Sequence, residues 1–360
     1  MSPTNIKVFE SRKAPGGWDE WAEAASRICQ TNFYAEVMQE AQRSKPRFLW
    51  ASKDKRILAG CLLLENSVTK KGAVANAVAG KSLSCISGPF ALPEVSADDT
   101  LKAFQSLVGH VDAMGAGKFK ISWGKAWIEE DSALSEDAIS CIFKGLGYKK
   151  VEWANYILNL TPSEEKLLQK AERSVRKALN KCARESVRTR LVEDFDDFKK
   201  SYFPAYISAQ DPQDDSAAQG TLETFRAMFD KDDKKRYRYL VAEAHDGAVF
   251  GTLGMHVCGS IATEIASSIT PAAKAASIPA QDILHWNLIM MAKSLACTSF
   301  DFAGVSPAPK NAKEEGIRKF KAKWGGRYLR MLSFEKLLTR GKIATGISRL
   351  VKSMKKSADT

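Results

Sequence analysis

The feature that most constrains this chain is an internal repeat. The stretch FLWASKDKRILAGCLLL, from Phe48 to Leu64, recurs as YLVAEAHDGAVFGTLGM, from Tyr239 to Met255, at an offset of 191 residues. Leu49, Ala51 and Gly60 of the first copy stand where Leu240, Ala242 and Gly251 stand in the second. Each copy reads as two strands around a polar turn, Lys53-Asp54-Lys55 in one and His245-Asp246-Gly247 in the other. Both then continue alike. An apolar-periodic helix beginning at Leu101 leads into a strand from Phe119 to Trp123, and one beginning at Ile283 leads into a strand from Phe300 to Phe302. A duplicated hairpin, helix and strand predicts two tandem α/β (α+β) domains, each around a mixed sheet. The 360 residues suit that division, with limits expected at 1–160 and 188–335, a connecting helix over 161–187 and a tail over 336–360.

Between the copies, Thr161-Pro162-Ser163-Glu164 reads as a capping box with proline at the first helical position. Leu168, Ala171, Val175, Ala178, Leu179 and Cys182 then form an apolar stripe, with Lys170, Arg173, Lys177, Lys181 and Arg184 on another face. Upstream, Trp18 to Ala41 is expected to be helical. Ala205 to Gly220 reads as a polar, mobile loop near a mouth. After Ser333 an amphipathic segment interrupted by Gly341 and Gly346 is expected to pack its first half on the domain, with lying on a membrane surface as the alternative.

The net charge of +12 is concentrated. Lys310 to Lys356 holds fifteen Lys or Arg against Glu314, Glu315 and Glu335, so this one segment accounts for the whole excess. Phosphates or an anionic membrane surface are the partners such a segment attracts, with a merely soluble tail as the alternative. Seven scattered cysteines without a C-x-x-C, and four histidines never spaced i, i+4, give neither a disulfide framework nor a metal site. With no apolar signal core and no long apolar run, a cytoplasmic chain is expected.

Several catalytic signatures are missing. Gly80-Lys81-Ser82 resembles the end of a phosphate-binding loop, but Ala75 stands where its first glycine is needed. Gly115-Ala-Gly117 lacks the third glycine of a dinucleotide site, because Lys120 occupies it. No G-x-S-x-G elbow is present, which disfavours a covalent acyl-enzyme.

The most informative stretch is SFDFAGVSPAPKNAKEEGIRKFKAKWGGRY, from Ser299 to Tyr328. Phe300 and Phe302 share one face of a strand with Asp301 on the other, and Gly304, Pro307 and Pro309 end it. A run over 314–323 then brings Lys319, Phe320, Lys321 and Lys323 back towards it. If this run is extended, the three lysines share a face. If it is helical, Lys321 alone turns inward.

The duplicated unit, the helix SEEKLLQKAERSVRKALNKCARESV and above all FDFAGV…GIRKFKAKWGG resemble the FemABX peptidyltransferases, over roughly Trp18 to Leu332. With no long insertion before the strand from Tyr237, the chain resembles the compact members that lack a coiled-coil arm. The resemblance implies twin GNAT-like domains, a monomer, and transfer of an amino acid from aminoacyl-tRNA to an amine of a cell-wall precursor, small or lipid-linked. An acyl-CoA-dependent N-acyltransferase and a non-catalytic RNA- or surface-binding relative remain as alternatives.

By match to the family's Phe-Lys pair, Lys321 takes the catalytic place with Phe320 beside it. Asp301 is the candidate to orient that lysine or accept a proton, and is equally readable as a structural strand-end residue. Trp286, Gly304, Arg318, Lys319, Lys323, Trp324 and Gly325 are expected to contact substrate or tRNA. The Lys321 head is expected to be solvated, so that its loss affects rate and not stability.

No cofactor is implied. A CoA donor would need a glycine-rich turn at a helix N-terminus; Pro271 to Gln281 of the second copy has no glycine, and Gly80 and Gly88 of the first are too far apart. The family's sugar-diphosphate lysine falls on Met38, and the stretch around Ser208 to Gln219 lacks the arginine and tyrosine used nearby. A nucleotide-linked acceptor is therefore not implied.

Overall fold

In the computed structural model, residues 6–67, 81–92, 94–123, 135–208 and 215–337 are described. The amphipathic tail beyond Leu337, Ala75 and Gly80, and residues 209–214 of the expected mobile loop lie outside them. The strands, in chain order, are Lys7–Ser11 (β1), Lys45–Lys53 (β2), Arg56–Ser67 (β3), Lys81–Ile86 (β4), Phe90–Ala91 (β5), Lys118–Trp123 (β6), Lys149–Asn159 (β7), Arg188–Leu191 (β8), Tyr237–Glu243 (β9), Val249–Cys258 (β10), Ile261–Ile269 (β11), Ser299–Val305 (β12) and Arg327–Leu337 (β13). The longer helices are Trp18–Ala24 (α1), Asn32–Gln42 (α2), Ala97–Ala113 (α3), Glu136–Gly145 (α4), Glu164–Lys170 (α5), Arg173–Arg184 (α6), Asp215–Lys231 (α7), Ala280–Ser294 (α8) and Ala312–Ala322 (α9).

Two compact units result, and the first is not continuous in sequence. One is Met1–Glu152 with Met331–Thr360; the other is Trp153–Arg330. The linear limits read from sequence, at 160 and 335, are thus displaced. The C-terminal part of β7 belongs to the second unit, and the C-terminal part of β13 belongs to the first. The sequence reading places no strand at either segment.

In the first unit, β2 and β3 form the predicted hairpin, turning at Asp54 and Lys55, both with positive φ. β4 adds antiparallel to β3, and β6 parallel to β4 after the crossover through α3. The helix starts because Ser96 accepts a hydrogen bond from the Asp99 N–H. It buries Ala103, Phe104, Leu107, Val108 and Val111 at helical spacing. Next to β6 comes β13, antiparallel to it from Leu332 to Leu337. Phe334 arrives fully buried and stacks on Phe143 at 4.0 Å between ring centroids. The expected helix over Trp18–Ala41 is broken instead. Ser26 takes a positive φ, and Thr31 caps a second helix by accepting from the Tyr34 N–H.

The second unit repeats the plan. β9 and β10 form the hairpin, β11 follows antiparallel, and β12 returns parallel to β11 after α8. The repeat is thus a mixed-sheet unit used twice, with its one parallel pairing at the same place in each. The predicted connecting helix is two helices. Ser163, not Thr161, is the cap, accepting from the Lys166 N–H. Ala171 is extended (ψ 149), and its carbonyl and that of Leu168 accept from Arg176. The stretch read as a mobile loop from Ala205 is partly helical, over Phe203–Ile207 and again in α7.

Candidate functional site

The site begins where β11 and β12 part. Their parallel pairing covers only Ile261 with Ser299, Ala262 with Phe300 and Thr263 with Asp301. On its other edge β12 pairs antiparallel with β7, but the register shifts between Asp301 and Gly304, and Ala303 has a φ of +54°. The extra residues make a bulge. Phe300 and Phe302 stay anchored in the core, fully buried, on either side of Asp301.

Lys321 reaches this bulge from α9. The helix is set by Asn311, which accepts from the Glu314 N–H at 3.0 Å, while Glu314 accepts from the Lys310 N–H at 2.9 Å. A helix puts successive odd positions about 200° apart, so Lys319 is exposed and paired with Glu315 while Lys321 points inward. Its Nζ donates to the carbonyl of Phe302, lies 3.5 Å from that of Gly304, and is 3.3 Å from Oε1 of Glu264 on β11. The expectation of a solvated head is therefore overturned: Lys321 is 7% exposed, and all three ammonium protons face acceptors.

Glu264 is held at both oxygens. Its Oε2 lies 3.0 Å from His285 Nε2, and His285 Nδ1 lies 2.7 Å from the Gln281 carbonyl. Burial would raise the Glu264 carboxyl, but His285 and Lys321 outweigh it, and the pKa is lowered. Asp301 goes the other way. Burial pushes its carboxyl up to about 6, although Asn155 and the Ala303 N–H donate to it. The Asn155 amide gives 2.8 Å hydrogen bonds to both Asp301 oxygens, and Ala303 N gives one of 2.8 Å to Oδ1. Two carboxyls with oppositely shifted pKa values thus lie on neighbouring strands, both within the field of one buried ammonium.

Among the other residues expected here, Phe320 packs on His285 with ring centroids 4.9 Å apart, and Gly304 supplies its carbonyl to Lys321. Lys323 does not project towards a partner. It pairs with Asp282 at 2.6 Å and lies over the Phe320 ring at 4.0 Å. Trp324 is 1% exposed and packs on Phe302 and His285, so it is core and cannot touch a substrate. Trp286 is packed, partly buried, against the same core. Gly325 ends α9 with a φ of +77°, where a Cβ would press on the Lys170 carbonyl at 3.1 Å. Arg318 pairs with Glu315 on the helix surface. Met38, at the family's phosphate-lysine place, is buried in α2 of the first unit.

The sequence reading missed Asn155, Trp153, Glu264 and His285. Asn155 and Trp153 sit on the strand that crosses between units, and Glu264 and His285 look like ordinary strand and helix residues. A buried acid facing a buried histidine has no linear signal.

The N-terminus of α8, where a CoA pyrophosphate would be cradled, is already occupied. Ala280 N and Asp282 N are bonded to Ile278 O and Pro279 O. The Asp282 carboxylate pairs there with Lys323, and Lys181 of α6 donates to the Ser277 carbonyl at 2.8 Å. An anion arriving at this end would meet a carboxylate.

Residues 169–321 match the acetyltransferase (GNAT) domain family. No curated protein matches the chain. Among solved structures the fold is that of FemX (12% identity, 95% of this chain and 99% of that one, TM-score 0.68). It is shared by a tandem GNAT protein of the clavulanic acid biosynthesis pathway (12%, 92% and 98%, 0.56). It is shared also by the C-terminal domain of a proposed lysylphosphatidylglycerol synthetase from Agrobacterium fabrum (12%, 92% and 96%, 0.53). At such identities the likeness is one of fold: two GNAT-like units in tandem.

Proposed function

We propose that this chain, which has the tandem GNAT fold of FemX, is an aminoacyltransferase that moves an amino acid from aminoacyl-tRNA to an amine of a cell-wall precursor or a related lipid-linked acceptor. The observation that carries the reading is the bulge of β12, where a buried cation and a carboxyl with a pKa of about 6 are held together without a nucleophile. An aminoacyl ester is already activated, so an enzyme acting on it supplies alignment, charge and a place for a proton. The amine nitrogen attacks the ester carbonyl, forming the C–N bond. Lys321 stabilises the oxyanion by its field, and its long contact to Gly304 is the one that can be exchanged for the substrate oxygen. Asp301 takes the proton lost from nitrogen and returns it to the ester oxygen as the C–O bond breaks.

The occupied N-terminus of α8 supports this donor over CoA. FemX and the synthetase domain, as described by their names, lend the reading its acceptor classes. The GNAT match favours the second reading, an acyl-CoA-dependent N-acyltransferase. The test supplies the purified chain with a cell-wall precursor pool and either tRNA charged with labelled amino acids or labelled acetyl-CoA. Ribonuclease-sensitive transfer from tRNA is expected. Transfer from acetyl-CoA alone would establish the second reading instead.

A further inference from the structure

We infer that Asp301, Asn155 and Trp153 form a binding site for a primary ammonium group. Asn155 is 6% exposed, and its amide nitrogen donates to the carboxylate of Asp301, 2.8 Å from both oxygens. That contact fixes the amide's orientation, since the reverse one would set oxygen against carboxylate. Its carbonyl oxygen Oδ1 is consequently buried with no hydrogen-bond partner. A buried acceptor without a donor is destabilising, and such a group in a native protein calls for an explanation. Asp301 Oδ2 has room as well. It receives the Asn155 amide alone, whereas Oδ1 receives the Ala303 N–H too.

The third wall is aromatic. Trp153 is two residues before Asn155 on β7, so the two side chains project from the same face. Its indole lies against Gly304, which pairs directly with Asn155 across the ladder. A Cβ on Gly304 would fall 1.9 Å from the Trp153 ring nitrogen, so glycine is required for the indole to lie there. Trp153 itself is 47% exposed.

One carboxylate oxygen and one amide oxygen beside an indole favour a ligand that donates and is positively charged. A metal ion is a poorer fit, because no group of three or more His, Cys, Asp or Glu side chains converges anywhere among the described residues. The charged neighbours are Lys321 and Glu264, which are paired with each other. A primary ammonium offers three protons on a small head to such oxygens. A quaternary one has no proton to give. As the amine of the acceptor this assignment rests on the proposed function, whereas ammonium binding itself is measurable without any donor.

The experiment titrates the full chain with n-butylammonium, butanol or tetramethylammonium while following the Trp153 indole N–H resonance, assigned with Trp153→Phe. Saturable binding of n-butylammonium is expected, at least tenfold tighter than that of either control. Asn155→Ala and Asp301→Asn, each shown by melting to be folded, should weaken it by roughly 10- to 100-fold, the range for one charge-assisted hydrogen bond. Gly304→Ala, which displaces the indole, should weaken it too. Binding should also decline as pH falls through about 6, where Asp301 takes up a proton.

Butanol binding as tightly as n-butylammonium, no saturable shift, or an Asn155→Ala variant that binds like the parent would overturn the inference. The two readings separate cleanly. Ammonium binding without transfer from tRNA leaves the inference standing and removes the proposed function. Transfer with an unchanged acceptor KM in Asn155→Ala does the reverse.

Discussion

Lys321 is where one side chain decides both chemistry and folding. Replacing it by methionine removes a donor that the proposed transition state uses, and losses of about 10²–10³ in rate are usual for one such donor. The same change strands Glu264, a buried carboxylate, and breaking a buried pair from one side costs about 3–5 kcal/mol. Lys321→Met should therefore lower both turnover and melting temperature. Adding Glu264→Gln should recover stability and leave turnover low, a split readable by calorimetry and a transfer assay. Lys319→Ala, at an exposed pair, should do neither. Asp301 makes a second prediction. Its carboxyl titrates near 6, so turnover should fall as pH drops through that value, and the limb should be missing from Asp301→Asn. Stability runs the opposite way. A carboxyl whose folded pKa is raised favours folding at low pH, a contribution lost as pH rises through about 6. Asp301→Asn should hence cost less stability at pH 8 than at pH 5.

The elements that matter are α9 and the bulge it serves. Asn311→Ala removes the cap of α9 and should cost about 1 kcal/mol. Because Lys321 is held from this helix alone, turnover should fall further than the small loss of stability suggests. Equal turnover in Asn311→Ala and the parent would mean that the helix does not position the lysine. The elements were largely legible from sequence. The alternation of Phe300 and Phe302 around Asp301 gave the strand, and the apolar spacing after Leu101 and Ile283 gave the crossover helices. The helical alternative for 314–323 already required that Lys321 alone face inward. The register shift at Ala303 was not legible, since an alanine with a left-handed φ has no sequence mark. That shift is what turns the carbonyls of Phe302 and Gly304 towards one ammonium.

Across the whole chain, the first unit is finished by the last described strand, which follows the second unit in sequence. A chain ending at Arg330 would lose Leu332 and Phe334 from the core of the first unit and leave β6 without its antiparallel partner. Truncation there should unfold the N-terminal unit even though every residue of its own repeat is present. Limited proteolysis and hydrogen exchange at Ile121 and Phe143 would reveal it; full protection of both would refute the dependence. The basic C-terminal segment also changes meaning at this scale. Lys321, Lys323 and Lys336 are paired with Glu264, Asp282 and Asp112 from elsewhere in the chain, so part of the sequence's +12 excess is spent inside the fold.

What the sequence determined by itself was everything that repeats or alternates: two copies of one unit, the order of strand and helix within each, and the lysine that a helix must turn inward. These are local, because hydrophobic period and capping chemistry act within a few residues. Only the tertiary structure decided which strand finishes which sheet, that Glu264 and His285 hold Lys321, and that Asn155 meets Asp301 across 146 residues of chain. Such pairings depend on where burial leaves a charge in need of a partner, and desolvation acts through space, not along the chain.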